Sequence, residues 1–291
     1  MQLFDLSSEF GIVRVTGASR ADFLHRMSTG DLASIAPGEV RATVFTTPIG
    51  RMVDAASVYA FPDHLLMRVS AAGKDKLLRW LRKYVFYNDD VQFTDATAEL
   101  AVAGVGGPDA GSWVAQHGAT LDGTHYSSSG TGVIMHGCNI FGGPGSFLMG
   151  APPKLAALAP ELEASPTTYD SVRVAAGVPR FGHEITEEFN PLEAGLWGAV
   201  SFSKGCYIGQ EIIARMESRN QLAKKLMLVE IQNVAVGGNL LIEDAEVGRV
   251  TSAAQEFALA YVRTAAALPD AAVNCGASHG RLVRVVHTAE I

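Results

Sequence analysis

From Lys225 to Val286 the chain is cut into short apolar runs by turn residues, and no other feature constrains its fold as tightly. The runs are Leu226 to Ile231, Leu240-Leu241, Glu246 to Ser252, Phe257 to Val262 and Arg281 to Val286, with Gly237-Gly238-Asn239 as one of the turns. Strands this short, interrupted this regularly, predict a small β-barrel or sandwich. Upstream the order is mixed. Ile12 to Thr16 alternates as a strand, and a helix follows through Asp22, Phe23, His25 and Met27. Val40 to Val69 reads as three strands joined by the turns Thr47-Pro48-Ile49-Gly50 and Phe61-Pro62-Asp63-His64. Ala71 to Phe86 reads as an amphipathic helix whose basic positions form a solvated face. Strands at Leu100 to Val105 and Gly132 to Met135 come with helices at Ala110 to Gln116 and Lys154 to Leu162. This order predicts an α+β region over 1–221 and a small β-barrel over 222–291.

Composition narrows the function classes. The chain has 291 residues, 48% of them hydrophobic and 18% charged, which suits a folded chain with a large core. A net charge of −7 argues against general nucleic-acid binding, because phosphate contacts need a basic surface. Neither a secretory signal nor a run of 18 apolar residues is present, so no membrane span is expected and the cytoplasm is the expected compartment. Cys138, Cys206 and Cys275 lie far apart, an odd number with no Cys-x-x-Cys pair, which fits a reducing compartment. The histidines follow no metal-ligand spacing, and no metal site is expected.

Chemistry concentrates in Lys204-Gly205-Cys206-Tyr207-Ile208-Gly209-Gln210-Glu211. Gly205 permits a sharp turn, and a helix is expected from Tyr207 to Ser218, with Cys206 at its start. A thiol there would feel the positive end of the helix dipole and the charge of Lys204, both of which favour thiolate. Cys is also among the most often buried residue types, so an inert core thiol fits the same position. Glu211, four residues before Arg215, fits an ordinary helical ion pair. The residues alone leave both readings of Cys206 open.

The same stretch resembles the signature of the YgfZ-type members of the glycine-cleavage T-protein superfamily at every defined position. Seven fixed positions recur by chance at roughly one site in a billion. Val15-Thr16-Gly17-Ala18 and Asp22 to Thr29 resemble the family's opening helix, and Thr46 to Arg51 its first hairpin. Asn190-Pro191-Leu192-Glu193-Ala194-Gly195-Leu196 is similar to the segment before the signature. Gly248 to Ser252, with Ala258-Leu259-Ala260, is similar to the superfamily's C-terminal barrel.

The resemblance implies a ring of three lobes, two interleaved α+β lobes and the barrel, around a channel that takes tetrahydrofolate. Tyr87, Trp197, Phe202 and Tyr207 are the implied aromatic walls, and Arg51, Arg180 and Lys204 the partners of the glutamyl tail. Cys206, Lys204, Gln210 and Glu211 form the implied reactive site of a protein that supports the iron–sulfur clusters of client enzymes. The T-protein itself relies on an aspartate before a Gln-Gly-Pro turn and on a glutamate in Arg-Leu-Glu-Ala-Gly. Here Ala96, beside Asp95, and Ala175, in Arg173-Val174-Ala175-Ala176-Gly177, occupy those places, so aminomethyl transfer is not expected and any turnover is left open. A folate-dependent one-carbon transferase is the alternative, and a scaffold with a structural thiol the third.

Overall fold

The computed structural model describes residues 1–119, 123–130, 132–141, 143–158, 163–165, 168–219 and 221–288. The first lobe is built from β2 (Phe10–Thr16), α1 (Arg20–Met27), β3 (Val40–Thr46), β4 (Met52–Ala60), β5 (Leu65–Ser70), α2 (Lys74–Arg82) and β6 (Gln92–Asp95). Its antiparallel sheet has the order β3-β4-β5-β2-β6. β4 is buried at all nine positions because both of its faces are covered. Ala56, Val58 and Ala60 pack with Phe23, Leu24, Leu77 and Leu81 of the two helices. Ala55 packs with barrel residues and Tyr59 with the second sheet.

The second lobe begins with the chain's first strand, β1 (Gln2–Asp5), which is why the two lobes are interleaved. It continues with β7 (Ala101–Gly106), α3 (Ala110–Gln116), β8 (Tyr126–Ser128), β9 (Ile134–Cys138), β10 (Gly145–Gly150), α4 (Pro152–Leu158) and β11 (Glu163–Ala164). The strands lie in the order β11-β1-β7-β10-β9-β8, and only the β1–β11 pair is parallel. The helix expected to reach Leu162 is described as far as Leu158; 159–162 lie outside the described residues.

After α5 (Tyr169–Ala176) the chain crosses the molecule through 177–209 and enters α6 (Gln210–Arg219). The barrel then closes from β12 (Lys224–Glu230), β13 (Asn239–Ile242), β14 (Ala245–Ala254), β15 (Phe257–Arg263), β16 (Ala272–Cys275) and β17 (Ser278–Val285), in the order β12-β15-β14-β13-β16-β17. The expected α+β architecture with a C-terminal barrel is therefore present.

The crossing segment is pinned to the barrel by its own sequence. Asn190 Oδ1 accepts the N–H groups of Leu192 and Glu193, and Glu193 Oε2 accepts the N–H of Asn190, a reciprocal capping box. The carbonyl of Glu193 then takes the N–H of Leu226 in β12. Gly195 has φ +77°, and a β-carbon there would lie 2.2 Å from the carbonyl oxygen of Val286, so only glycine allows the barrel to come this close.

Candidate functional site

The Lys204–Glu211 stretch folds as a loop clamped to the first lobe, followed by the start of α6. Lys204 Nζ donates to three carbonyl oxygens, those of His25 (2.5 Å), Ser28 (2.7 Å) and Gly30 (2.7 Å), at the C-terminal end of α1 and just beyond. An ammonium has three N–H bonds, and this cage uses all of them. Burial pushes Lys204 down to about 8, while the three carbonyls favour its charged form. The ring of Tyr207 is buried 5.0 Å from that ammonium, with Ile213 and Leu192 around it, and burial pushes its phenol up to about 12. Ile208 donates its N–H to the carbonyl of Arg26, and its side chain packs on the first lobe's core. Gly209 has φ +86°, and a β-carbon there would meet Thr46 Oγ1 and the Thr47 carbonyl at 2.7 Å.

These contacts correct two sequence expectations. The helix starts at Gln210, not Tyr207, because 207–209 are spent on docking, so Cys206 lies outside the first turn, where the helix dipole acts. Lys204 is committed to carbonyls and holds the loop rather than serving the thiol. Glu211 is exposed and pairs with Arg215 at 2.8 Å, and Gln210 opens the helix. Cys206 itself is exposed, whereas Cys138 is buried and Cys275 half-buried.

Among the described residues, two of several cavities border the first lobe's sheet. The larger, of about 440 Å³, is lined by residues of both sheets and the crossing segment, among them Asp31, Arg41, Ser57, His136, Asn139 and Ser201. Arg41 is held at its rim by Glu39 at 2.7 Å and by the carbonyl of Asp31 at 2.5 Å. His136 joins Tyr59 Oη at 3.1 Å and the Gly123 carbonyl at 2.9 Å. The smaller, of about 30 Å³, is lined by Asp54, Arg68, Tyr169, Arg180 and Phe181, among others. Asp54 is 1% exposed; its Oδ1 accepts the N–H of Ala55 at 2.8 Å, and its Oδ2 has no hydrogen-bond partner. Burial pushes this carboxyl up to about 7. A β-carbon on Gly73 would fall 2.7 Å from Oδ2, so the glycine leaves room for it.

The structure does not gather the aromatic residues expected from the sequence. Tyr87 is 103% exposed at a surface turn, and Phe202 is exposed beside a half-buried Trp197, with ring centroids 6.1 Å apart. Arg51 donates to the Glu188 carbonyl at 2.7 Å and lies 3.5 Å from Glu193. Arg180 alone of that set reaches either cavity, and there it pairs with Glu9 at 2.9 Å and Asp170 at 3.3 Å. Ala96 is fully buried, and Asp95 is paired with Lys74 at the lobe's surface. The buried carboxyl that sequence reasoning missed is Asp54; its one signal was an acid inside a strand of otherwise apolar or small residues. Among the described residues no group of three His, Cys, Asp or Glu side chains is placed to hold a metal ion.

Residues 1–129 match the family model of the GCVT N-terminal domain. Over 280 residues the chain is 29% identical to a chloroplastic protein of Arabidopsis thaliana provisionally named a transferase, a match covering 89% of this chain and 65% of that one. It is 27% identical over 277 residues to the aminomethyltransferase of Halalkalibacterium halodurans, covering 87% of this chain and 74% of that one. The crystal structure of the glycine cleavage system aminomethyltransferase T from Bartonella henselae superposes with a TM-score of 0.83 at 18% identity, covering 97% of this chain and 84% of that one. The fold is that of the T-protein.

Proposed function

We propose that this T-protein-fold chain is a tetrahydrofolate-binding accessory protein that supports the iron–sulfur clusters of client enzymes through Cys206. One observation carries the reading. In the signature loop Lys204, Tyr207, Ile208 and Gly209 are each consumed in fixing the backbone, while Cys206 is held out to solvent. An exposed thiol on a clamped loop suits a nucleophile, or a transient ligand for sulfur or iron delivered as cargo. Gln210 and Glu211 shape the helical side of that site. The reduced thiol it needs fits the cytoplasm or another reducing compartment.

The 440 Å³ cavity falls in the range of ligand sites, about 300–1,000 Å³. Arg41 at its rim suits the anionic glutamyl tail, and Ser57 and His136 offer hydrogen bonds to a pterin edge. Asp54 favours a second reading, a folate-dependent one-carbon transferase, since a carboxyl titrating near 7 suits general acid–base work.

Two variants separate the readings. Cys206→Ser should cost client iron–sulfur enzymes their cluster-dependent activity in cells, with Asp54→Asn leaving them intact. The reverse, together with turnover of a methylated amine by the wild type but not by Asp54→Asn, would establish the transferase. Alkylation of native Cys206, slowed by tetrahydrofolate, is the in vitro counterpart; a thiol that reacts only after unfolding leaves the scaffold reading standing.

A further inference from the structure

The large apolar side chains left in water are not scattered over the molecule. Among the described residues they are Ile49, Phe86, Tyr87, Phe202, Val236 and Leu268, and only the last two belong to the barrel. The other four sit on three segments fixed to the Lys204–Gly209 loop. Ile49 tips the turn between β3 and β4. A β-carbon on Gly209 would lie 2.7 Å from the Thr47 carbonyl oxygen of that turn and 3.1 Å from Gly50 Cα, and Thr46 Oγ1 donates to the Ile208 carbonyl at 2.6 Å. Phe86 and Tyr87 stand on the turn after α2. The Asp89 N–H closes it on the Phe86 carbonyl at 3.0 Å, and Asp89 Oδ2 accepts the Phe86 N–H at 2.9 Å. Asp89 also pairs with Arg26 at 2.7 Å, and the Arg26 carbonyl accepts the Ile208 N–H at 3.3 Å. Phe202 precedes Cys206 by four residues and lies against Trp197, which packs on the cluster around Tyr207. Apolar side chains gathered in water on hydrogen-bonded turns, around one loop, mark a surface that meets a partner.

One edge of this face has a charge opposite to that of the whole molecule. Residues 74–83 hold five basic side chains and one acid, Asp75, in a chain of net charge −7. Lys74 and Lys76 are spent on Asp95 and Glu187. Arg79, Arg82 and Lys83 are exposed and have no ion-pair partner among the described residues. Their helical spacing puts them on one stripe that runs on to Phe86. Asp22, paired with Arg26, and Glu211, paired with Arg215, make the rest of the face mixed in charge, which suits a protein surface better than a uniformly anionic bilayer. We propose that Ile49, Phe86, Tyr87 and Phe202 are the seat of a folded client protein, which brings an apolar surface whose edge carries carboxylates for Arg79, Arg82 and Lys83. The inference rests on the client-enzyme reading of Cys206 and deepens it by stating what a client presents to the thiol.

The probe is the iron–sulfur enzyme whose activity falls most in cells lacking this chain, purified. Its binding to the immobilised full chain is measured at about 50 mM and about 500 mM salt. Phe86→Ser with Tyr87→Ser should weaken binding about tenfold or more at either salt. Arg82→Glu with Lys83→Glu should weaken it about tenfold at the lower salt, with the difference closing at the higher. Leu268→Ser, on the barrel, should bind as wild type does. All of these replace exposed side chains, and unchanged urea midpoints verify that the variants fold. An aromatic pair replaced with no loss of binding overturns the proposal and leaves Cys206 its chemistry. So does a concentration-dependent dimer that the serine pair abolishes, which gives the face to a second copy. Phosphatidylglycerol vesicles bound by wild type and not by the serine pair overturn it in favour of a lipid surface. A client that binds through the aromatic pair but keeps its activity in cells carrying Cys206→Ser upholds the docking face and overturns the thiol. If no iron–sulfur enzyme loses activity without this chain, both fall.

Discussion

Asp54 is a cost to the fold at neutral pH. Its carboxyl titrates at about 7 in the folded chain against about 3.8 when unfolded, so the folded state holds the proton more tightly. The stability from this proton is complete below pH 3.8 and is lost as pH rises through 7. The gap between those two values corresponds to at most about 4 kcal/mol. Asp54→Asn should therefore be more stable than wild type above pH 7, by up to about that amount, with the gain shrinking toward pH 4; urea denaturation across that range measures it. The sequence hid Asp54 because β4 is otherwise apolar or small, and a lone Asp in such a strand has no local pattern to mark its burial. The carbonyl cage of Lys204 is hidden for a different reason: His25, Ser28 and Gly30 meet the ammonium only through the docking of α1 against the signature loop.

Among elements, α5 is joined to the barrel by an ionic knot whose centre, Arg173 with Glu184, has no access to water. Arg173 in α5 is fully buried, reaching Asp170 at 2.5 Å, Glu184 at 3.3 Å and Ser252 Oγ at 2.8 Å in β14. Glu184 is equally buried, taking Ser252 Oγ–H at 2.6 Å and the N–H of Arg180 at 3.0 Å. Removing one partner strands the other charge, so Arg173→Met should lose about 3–5 kcal/mol in chemical denaturation. Secondary structure was legible where turn residues cut the chain into short apolar runs, as in the strands of the barrel. It was less legible at helix ends. α2 spans Lys74–Arg82 instead of Ala71 to Phe86, because Gly73 sits at its N-cap and the chain turns away after Lys83. The start of α6 is displaced because tertiary docking claims Tyr207 to Gly209, a competition that no local propensity records.

At the scale of the whole molecule, the ring places a cavity of about 440 Å³ where two sheets and the crossing segment meet, so a ligand there bridges surfaces of both lobes. Tetrahydrofolate at about 100 times its dissociation constant should raise unfolding free energy by about 2.7 kcal/mol. Arg41→Ala should reduce that gain by weakening binding, and urea midpoints with and without the ligand report both. A gain unaffected by Arg41→Ala would move the glutamyl tail elsewhere. The ring was foreseen through resemblance, whereas the cavity's residues were not: Arg41, Ser57 and His136 come from strands of two lobes, and nothing along the chain ties them together.

The placement of β1 has a consequence for biosynthesis. Gln2–Asp5 pairs with β7 and, in parallel, with β11, across the whole of the first lobe. This strand leaves the ribosome ahead of both partners, and it waits for one until residue 106 has emerged and for the other until 164. The first lobe can close around β2 to β6 in the meantime, with Gln2–Asp5 loose. Translation halted after Asp95 would leave that strand as an unpaired edge, open to pairing with another nascent chain. In a gene split between the lobes, the codons for Gln2–Asp5 belong with the second fragment rather than the first.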